Sequence, residues 1–284
     1  MNNSTGAAKK QNTIIDGKTY TWGSKTYVMG IINVTNDSFS GDGVGYDPVI
    51  ATDQALKFQE EGADFIDVGG ESTRPPGIYD DVIKVSADEE IKRIVPVIKL
   101  MSRKLNIPIS VDTYKSDVAR CALESGASFI NDIWGLTKDI GMIDVVLQYE
   151  CPVIVMHNQD NTIYKNLIKD IKSKFNSTIN FAVAKGIKKQ NIILDPGIGF
   201  GKTAVQNINV MKNLNQFQGL GHPLLIGTSR KSFIGHVLDA SIEDRLEGTA
   251  ATVALAIQSG VDIVRVHDVK EMVKISRMAD AIIR

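Results

Sequence analysis

Apolar runs of five or six residues recur along this chain, each closed by a polar or glycine-rich turn and followed by a longer stretch of helical period. The runs fall at 28–33 (V-M-G-I-I-N), 64–68 (D-F-I-D-V), 107–112 (I-P-I-S-V-D), 128–132 (S-F-I-N-D), 152–156 (P-V-I-V-M), 191–195 (N-I-I-L-D), 223–227 (P-L-L-I-G) and 261–265 (V-D-I-V-R), eight in all. Short continuous runs of this kind predict strands buried on both faces, as in a parallel sheet covered by helices.

The intervening segments carry helix signals. Asp47-Pro48 reads as a cap followed by a first-turn proline, opening a helix to Glu61. Ser86 opens another, with Asp88, Glu89 and Glu90 in its first turn, running to about Lys104. Further helices are predicted at 115–124, 139–149, 165–185, 204–214 and 246–258, and Val269–Ile283 closes the chain. Several end in a glycine just ahead of the next strand (E-E-G-A-D-F, L-E-S-G-A-S-F, I-Q-S-G-V-D-I).

Eight strands alternating with eight helices predict an α/β fold, a (β/α)8 TIM barrel. An open doubly wound sheet would usually carry a phosphate-binding glycine fingerprint after its first strand, and N-V-T-N-D-S-F-S is not one. Ahead of the barrel, I-I-D-G-K and T-Y-T-W-G predict a short N-terminal hairpin. Residues 1–12 are polar and predicted to be a disordered tail, leaving 13–284 as a single domain.

Composition narrows the functional classes. The 284 residues are 43% hydrophobic, enough for a large core, and the net charge of -1 with 6% aromatics makes no case for nucleic acid or an anionic membrane. Neither a leader-like apolar segment nor a run of transmembrane length is visible, so a soluble cytoplasmic protein is expected. Cys121 and Cys151 have no metal-site or disulfide-framework spacing and read as reduced core thiols.

In such a barrel, chemistry collects at the C-terminal ends of the strands. The most pointed stretch is I-I-L-D-P-G-I-G-F-G-K, from Ile192 to Lys202: a buried run ending in an aspartate, then proline and alternating glycines that permit positive φ and close approach of a flat ligand. Asp112, Asn131 and Asp195 end three different strands and could fan around the edge of a heterocycle, although each could separately be a cap or turn residue, Asp112 in S-V-D-T-Y-K above all. Arg265 and His267, two apart on extended backbone, share a face and suit an anion such as a phosphate or pyrophosphate; a rim ion pair is the plainer alternative for Arg265. Lys231, in G-T-S-R-K-S-F-I-G, brings a cation over the mouth or belongs to a surface charge run. His157, His222 and His236 read as rim, structural and solvated residues.

With these residues gathered, the chain resembles the dihydropteroate synthases, the pterin-binding barrels of the folate pathway, over nearly all of residues 28–284. The resemblance rests on M-G-I-I-N-V-T-N-D-S-F-S, G-A-D-F-I-D-V-G-G-E-S-T-R-P, I-S-V-D-T-Y-K, G-A-S-F-I-N-D-I-W-G, I-L-D-P-G-I-G-F-G-K, G-T-S-R-K-S-F-I-G and R-L-E-G-T-A-A-T-V-A-L-A, in family order at barrel spacing. It implies a transferase joining 6-hydroxymethyl-7,8-dihydropterin pyrophosphate to p-aminobenzoate with release of pyrophosphate. By position it implies a pterin pocket of Asp112, Asn131, Asp195 and Lys231 with apolar walls Ile133, Met156 and Phe200. It further implies a pyrophosphate pocket of Asn33, Arg265 and His267, with Asn33 also reaching Mg2+, and an aminobenzoate side formed by Thr73, Arg74 and Ser232. Asp37 lies in the first loop, and Asp37, Asp112, Asp195 and Lys231 are the expected catalytic residues. The family is usually dimeric through its late helices, so a homodimer is expected.

Three stretches depart from the family pattern. Asn36 replaces a usual proline, P-P-G-I-Y-D-D-V-I-K-V-S lengthens the second loop, and M-H-N-Q-D-N-T lacks the usual form after the fifth strand. The Asn36 and second-loop departures keep open a non-catalytic pterin-binding paralogue; the other rival, a methyltetrahydrofolate-binding methyltransferase, would keep the Asp/Asn fan without needing T-S-R-K-S or N-V-T-x-D-S-F, and both are present.

Overall fold

The computed structural model describes residues 10–35, 47–71 and 85–284. A hairpin comes first: β1 (Thr13–Ile15) pairs antiparallel with β2 (Lys18–Tyr20). Its two-residue turn is Asp16-Gly17, with φ of 49° and 70°, the doubly left-handed geometry that matches the twist of paired strands and that Asp-Gly tolerates best. The predicted tail is held at its inner end, where Lys10 Nζ lies 2.5 Å from Asp262 Oδ2; residues 1–9 lie outside the described residues.

The predicted strands form one parallel sheet: β3 (Tyr27–Asn33), β4 (Phe65–Gly69), β5 (Ile109–Asp112), β6 (Phe129–Asp132), β7 (Val153–Met156), β8 (Ile192–Asp195), β9 (Leu225–Ile226) and β10 (Ile263–Val266). Around the barrel they run β8-β7-β6-β5-β4-β3-β10-β9. A single bridge, Leu194 with Leu224, joins β8 to β9, and Leu194 N–H donates to Pro223 O at 2.9 Å. The seam is thin because Pro223 offers no N–H; Leu224 N–H is taken instead by Asp262 Oδ2 at 2.8 Å.

The outer helices are α1 (Pro48–Glu61), α2 (Ala87–Met101), α3 (Ser116–Glu124), α4 (Gly141–Tyr149), α5 (Leu167–Ala184), α6 (Ala204–Lys212), α7 (Ser232–Leu238), α8 (Leu246–Gln258) and α9 (Val269–Ile283). The predicted caps hold: Asp47 accepts from Val49 N–H, and Ser86 from Glu89 N–H. The extra helix relative to the expected eight is α7. Its seven residues, S-F-I-G-H-V-L, are too few to display a helical period and are broken by Gly235. That glycine makes room for Arg245, whose Nη2 would lie 2.4 Å from an added Cβ.

Pairing register decides which side chains enter the barrel. Met29 pairs with Phe65, Ser110 with Phe129, Asn131 with Ile154, and Ile263 with both Tyr27 and Leu225. Phe65, Phe129, Ile154, Ile193, Leu225 and Ile263 form one apolar cluster with Ile15, Tyr20 and Trp22, so the hairpin plugs the barrel floor. Phe65 is fully buried there, 4.8 Å from the Tyr20 ring and 5.4 Å from Phe129, centre to centre; burying such a ring contributes roughly 1.5–3 kcal/mol. Alternation then brings the residue two further along each strand onto the same inner face. Those residues are Asp67, Asn131, Met156, Asp195, Gly227 and Arg265. A polar layer therefore lies directly above an apolar floor.

Candidate active site

Arg265 spans the polar layer from β10. Its Nε lies 2.5 Å from Asp67 Oδ2 on β4, and its Nη2 lies 2.7 Å from Asp112 Oδ2 on β5. Asn131 Nδ2, on β6, donates to the same Asp67 Oδ2 at 2.9 Å. The second oxygen of each carboxylate, Asp67 Oδ1 and Asp112 Oδ1, and the single amide oxygen of Asn131, Oδ1, are buried and have no partner. Buried polar atoms without partners are costly unless something else supplies a donor. Burial pushes Asp112 up to about 7 against the pull of Arg265. Burial also works against the charge on Arg265, but Asp67 and Asp112 outweigh it and hold its pKa above the ordinary guanidinium value.

The cap reading of Asp112 does not hold. The α3 N-cap is Lys115, without a side-chain cap bond, and the Asp112 carboxylate turns inward to Arg265. Asp132, at the end of β6, is a turn residue instead, accepting from Trp134 N–H at 2.8 Å and Leu136 N–H at 2.7 Å.

A second wall comes from the loop after β8. Asp195 Oδ1 accepts Gly197 N–H at 2.7 Å, and burial raises its pKa despite Lys231 nearby. Lys231, from the start of α7, donates to Ile198 O and holds its Nζ 4.6 Å from the Phe200 ring centre. Burial brings Lys231 down to about 8, with Asp195 opposing. Met156 pairs in register with Asp195, and Met156 and Ile133 are both buried. Gly197, at φ 71°, is required twice over: an added Cβ would sit 2.1 Å from His157 O.

The loop after β10 holds His267, whose backbone N–H donates to Ser229 Oγ at 3.2 Å and whose Nδ1 lies 3.0 Å from the same oxygen. Burial, then Arg265, Arg230 and Lys231, drive His267 down to about 3, so it is neutral. Arg230 is left-handed at φ 53° and grips Asp268 through Nε at 3.0 Å and Nη2 at 2.5 Å, tying this loop to that of Lys231. Asn33 ends β3 beside Gly69, and Ser232 is the exposed first residue of α7. Asp37, Thr73 and Arg74 lie outside the described residues.

The sequence reading missed three charged residues. Asp67 sat inside an apolar run, its signal being a lone acid at the inward phase of a strand. Lys202, at the end of the glycine stretch, is buried. Lys115 reaches Glu71 Oε2 at 2.7 Å, Glu90 Oε2 at 2.5 Å and Val85 O at 2.8 Å, where residues 71 and 85 flank the second loop.

A barrel whose mouth offers unpaired acceptors for a flat polar ring beside an arginine and a histidine is that of a pterin-binding enzyme. A family model described as pterin binding enzyme matches residues 29–267, and the chain belongs to that family. Within it the relatives are dihydropteroate synthases, which are transferases. The chain is 49% identical over 271 residues to the dihydropteroate synthase of Clostridium beijerinckii, covering 95% of this chain and 99% of that one. Among solved structures it is similar to Clostridium difficile dihydropteroate synthase in the presence of pteroic acid, at a TM-score of 0.87 and 51% identity, over 93% of this chain and 99% of the other. The Xanthomonas albilineans dihydropteroate synthase with 4-aminobenzoic acid matches at a TM-score of 0.87 and 36% identity, over 96% and 98% of the two chains.

Proposed function

We propose that this transferase condenses 6-hydroxymethyl-7,8-dihydropterin pyrophosphate with p-aminobenzoate, giving 7,8-dihydropteroate and pyrophosphate. The observation that carries the reading is the pair of unpartnered, buried oxygens Asp112 Oδ1 and Asn131 Oδ1 on adjacent strands, facing the same mouth as Asp195 and Lys231. An aminopyrimidone edge supplies the N–H donors these oxygens lack. The solved relatives bound to pteroic acid and to 4-aminobenzoic acid support the same two substrate halves.

In this reading Asp112, Asn131, Asp195 and Lys231 hold the pterin between Met156, Ile133 and Phe200. Arg265, His267 and Asn33 receive the pyrophosphate. Ser232, with Thr73 and Arg74, faces the aminobenzoate. The difficult step breaks the C–O bond at the pterin methylene. Asp112 and Asp195 stabilise positive charge spreading over the pterin ring, while Arg265 and the neutral His267, as a hydrogen-bond donor, stabilise the departing pyrophosphate. The aniline nitrogen is nucleophilic without a strong base, so no covalent enzyme intermediate is needed.

Among the described residues no group of three or more His, Cys, Asp or Glu side chains is arranged to hold a metal. The single amide oxygen of Asn33 fits Mg2+ that arrives with the substrate's phosphate oxygens, since Mg2+ takes few protein ligands at such sites. When bound, the ion would neutralise charge on the leaving pyrophosphate.

The second expected partner is another copy of the chain. A groove of about 520 Å³ between α6, α7 and α8, with Val237, Leu238 and Leu255 exposed along it, supports a homodimer on that face; sedimentation of Leu255→Glu against the unaltered chain tests it. Cys121 and Cys151 are free thiols, which supports work in a reducing compartment, the cytoplasm; among the described residues no helix is long and apolar enough to cross a membrane.

The decisive assay follows pyrophosphate release from the pterin substrate with and without p-aminobenzoate. Release that depends on aminobenzoate supports condensation; tight pterin binding without release would instead identify a non-catalytic paralogue. Asp195→Ala is expected to abolish pterin binding.

A further inference from the structure

Lys202 ends the glycine-rich loop after β8, and nothing above gives it a role. Its side chain is buried, with 4% of the residue exposed. Its Nζ lies 2.9 Å from Gly197 O, 2.9 Å from Phe200 O and 3.1 Å from His157 Nδ1. An ammonium has three donors and no acceptor, so these three contacts use its donors, with His157 O a longer fourth neighbour at 3.5 Å. The arrangement requires a bare lone pair on His157 Nδ1, and burial, then the charge of Lys202, holds that imidazole neutral by driving its pKa down to about 3. His157 is itself buried, its ring 6.0 Å from Tyr164 and 6.4 Å from Phe175.

Lysine in a loop is normally solvated, because burying its charge is expensive unless every donor is satisfied. Here the cost is met by carbonyls that belong to the pterin-facing loop itself. Asp195 is tied to Gly197 through Gly197 N–H, Phe200 N–H returns to Gly197 O at 3.2 Å, and Gly199 N–H is held by Asn207 Oδ1 at 2.8 Å. Tyr164 Oη donates to Gly201 O at 2.8 Å from the other side. The upper face of the loop carries Asp195, the Ile198 carbonyl taken by Lys231, and the Phe200 ring under that same ammonium. Two lysines thus grip one loop, Lys231 from the mouth and Lys202 from beneath.

We propose that Lys202 is a positioning residue for the pterin pocket: from under the loop it draws the Gly197 and Phe200 carbonyls onto His157, and so fixes the Asp195 carboxylate and the Phe200 ring against the ligand. The inference rests on the pterin reading of Asp195 given above. His157 is the anchor of the device. Lys202 touches no substrate; it acts through Asp195 and Phe200.

The test uses the full chain at about pH 6, below the value of about 7 to which burial depresses Lys202, so that its ammonium is charged. Dissociation constants are measured for the pterin substrate and, separately, for inorganic pyrophosphate, which probes the Arg265 side. Lys202→Met is expected to weaken pterin binding about tenfold or more, the scale of one lost charge-assisted contact, with pyrophosphate binding unchanged. Unchanged pterin affinity in Lys202→Met, while Asp195→Ala loses it, overturns the positioning role. Retention of pterin by Asp195→Ala overturns the pocket reading itself, and the proposal with it. Should Lys202→Met lose both ligands through misfolding, His157 decides: His157→Asn, whose Oδ1 replaces Nδ1 as acceptor, is expected to keep pterin affinity and His157→Leu to lose it, and equal behaviour of the two overturns the proposal.

Discussion

Arg265 Nη2 meets Asp112 Oδ2 at 2.7 Å across the barrel mouth, while the other oxygen of that carboxylate stays buried and unpaired. One carboxylate is therefore both the ion-pair partner of Arg265 and an open acceptor. In the proposed reading that contact couples the anion side to the pterin side.

The contact makes Arg265 a stability residue as well as the proposed anion ligand. Arg265→Met leaves Asp67 and Asp112 as buried carboxylates without their counter-ion, at an expected cost of about 3–5 kcal/mol. Urea unfolding checks this. Adding Asp67→Asn to Arg265→Met should recover part of the loss, because a buried like-charge pair then becomes a single carboxylate; further loss in the double variant would argue that Asp67 is not charged in the pair.

Asp112 sets a pH dependence. Its pKa is pushed up to about 7 because burial disfavours the carboxylate, and in the proposed reading that carboxylate accepts N–H bonds from the pterin. Affinity should fall by up to about tenfold per pH unit as pH drops below 7 and level off above it. Calorimetric titration from about pH 5.5 to 7.5 tests the sign, and Asp112→Asn should flatten the profile while lowering affinity throughout.

His157 and His267 confer acid sensitivity. Both are buried and held neutral with folded pKa values of about 3, below the ordinary imidazole value of 6.5. The unfolded chain binds more protons in that window, so stability is present above pH 6.5 and is lost as pH falls toward 3. Each contributes about 1.4 kcal/mol per pH unit there. Urea midpoints at successive pH values should decline more shallowly in His157→Asn; parallel slopes would remove this histidine from the account.

Lys115 neutralises a fully buried acid. Glu90 is 1% exposed, and burial raises its pKa against the hydrogen bond from Lys115. Lys115→Met is expected to destabilise the chain by about 3–5 kcal/mol, and Lys115→Met with Glu90→Gln by less. The same ammonium bridges Glu71 Oε2 and Val85 O, so the aminobenzoate KM of Lys115→Met should rise more than its pterin KM, measured in steady-state assays on whatever folded fraction remains.

Much of this architecture was legible in the sequence, and for local reasons. Strand ends at Asn33, Asp112, Asp132 and Asp195 follow from buried runs stopped by polar residues, and the starts of α1 and α2 from Asp47-Pro48 and Ser86. Side-chain alternation and cap chemistry act over a few residues, so a single chain displays them. The short helix α7 escaped because seven residues around a glycine carry no period, and the residues that reward it, such as Arg245, come later in the chain.

The network in the mouth was decided only by closure of the barrel. Asp67 lies 198 residues from Arg265, and no spacing rule relates them; they meet because β4 and β10 both flank β3 and their inward phases coincide. Lys202 reads as an ordinary loop lysine until β7 brings the neutral imidazole and carbonyl of His157 beneath it. The sequence by itself determined which residues stand at the strand ends, because that depends on neighbours in the chain. Which acids share a cation, which oxygens are left open for a ligand, and which lysine faces inward depend on long-range electrostatics and desolvation, and those exist only once the barrel has closed.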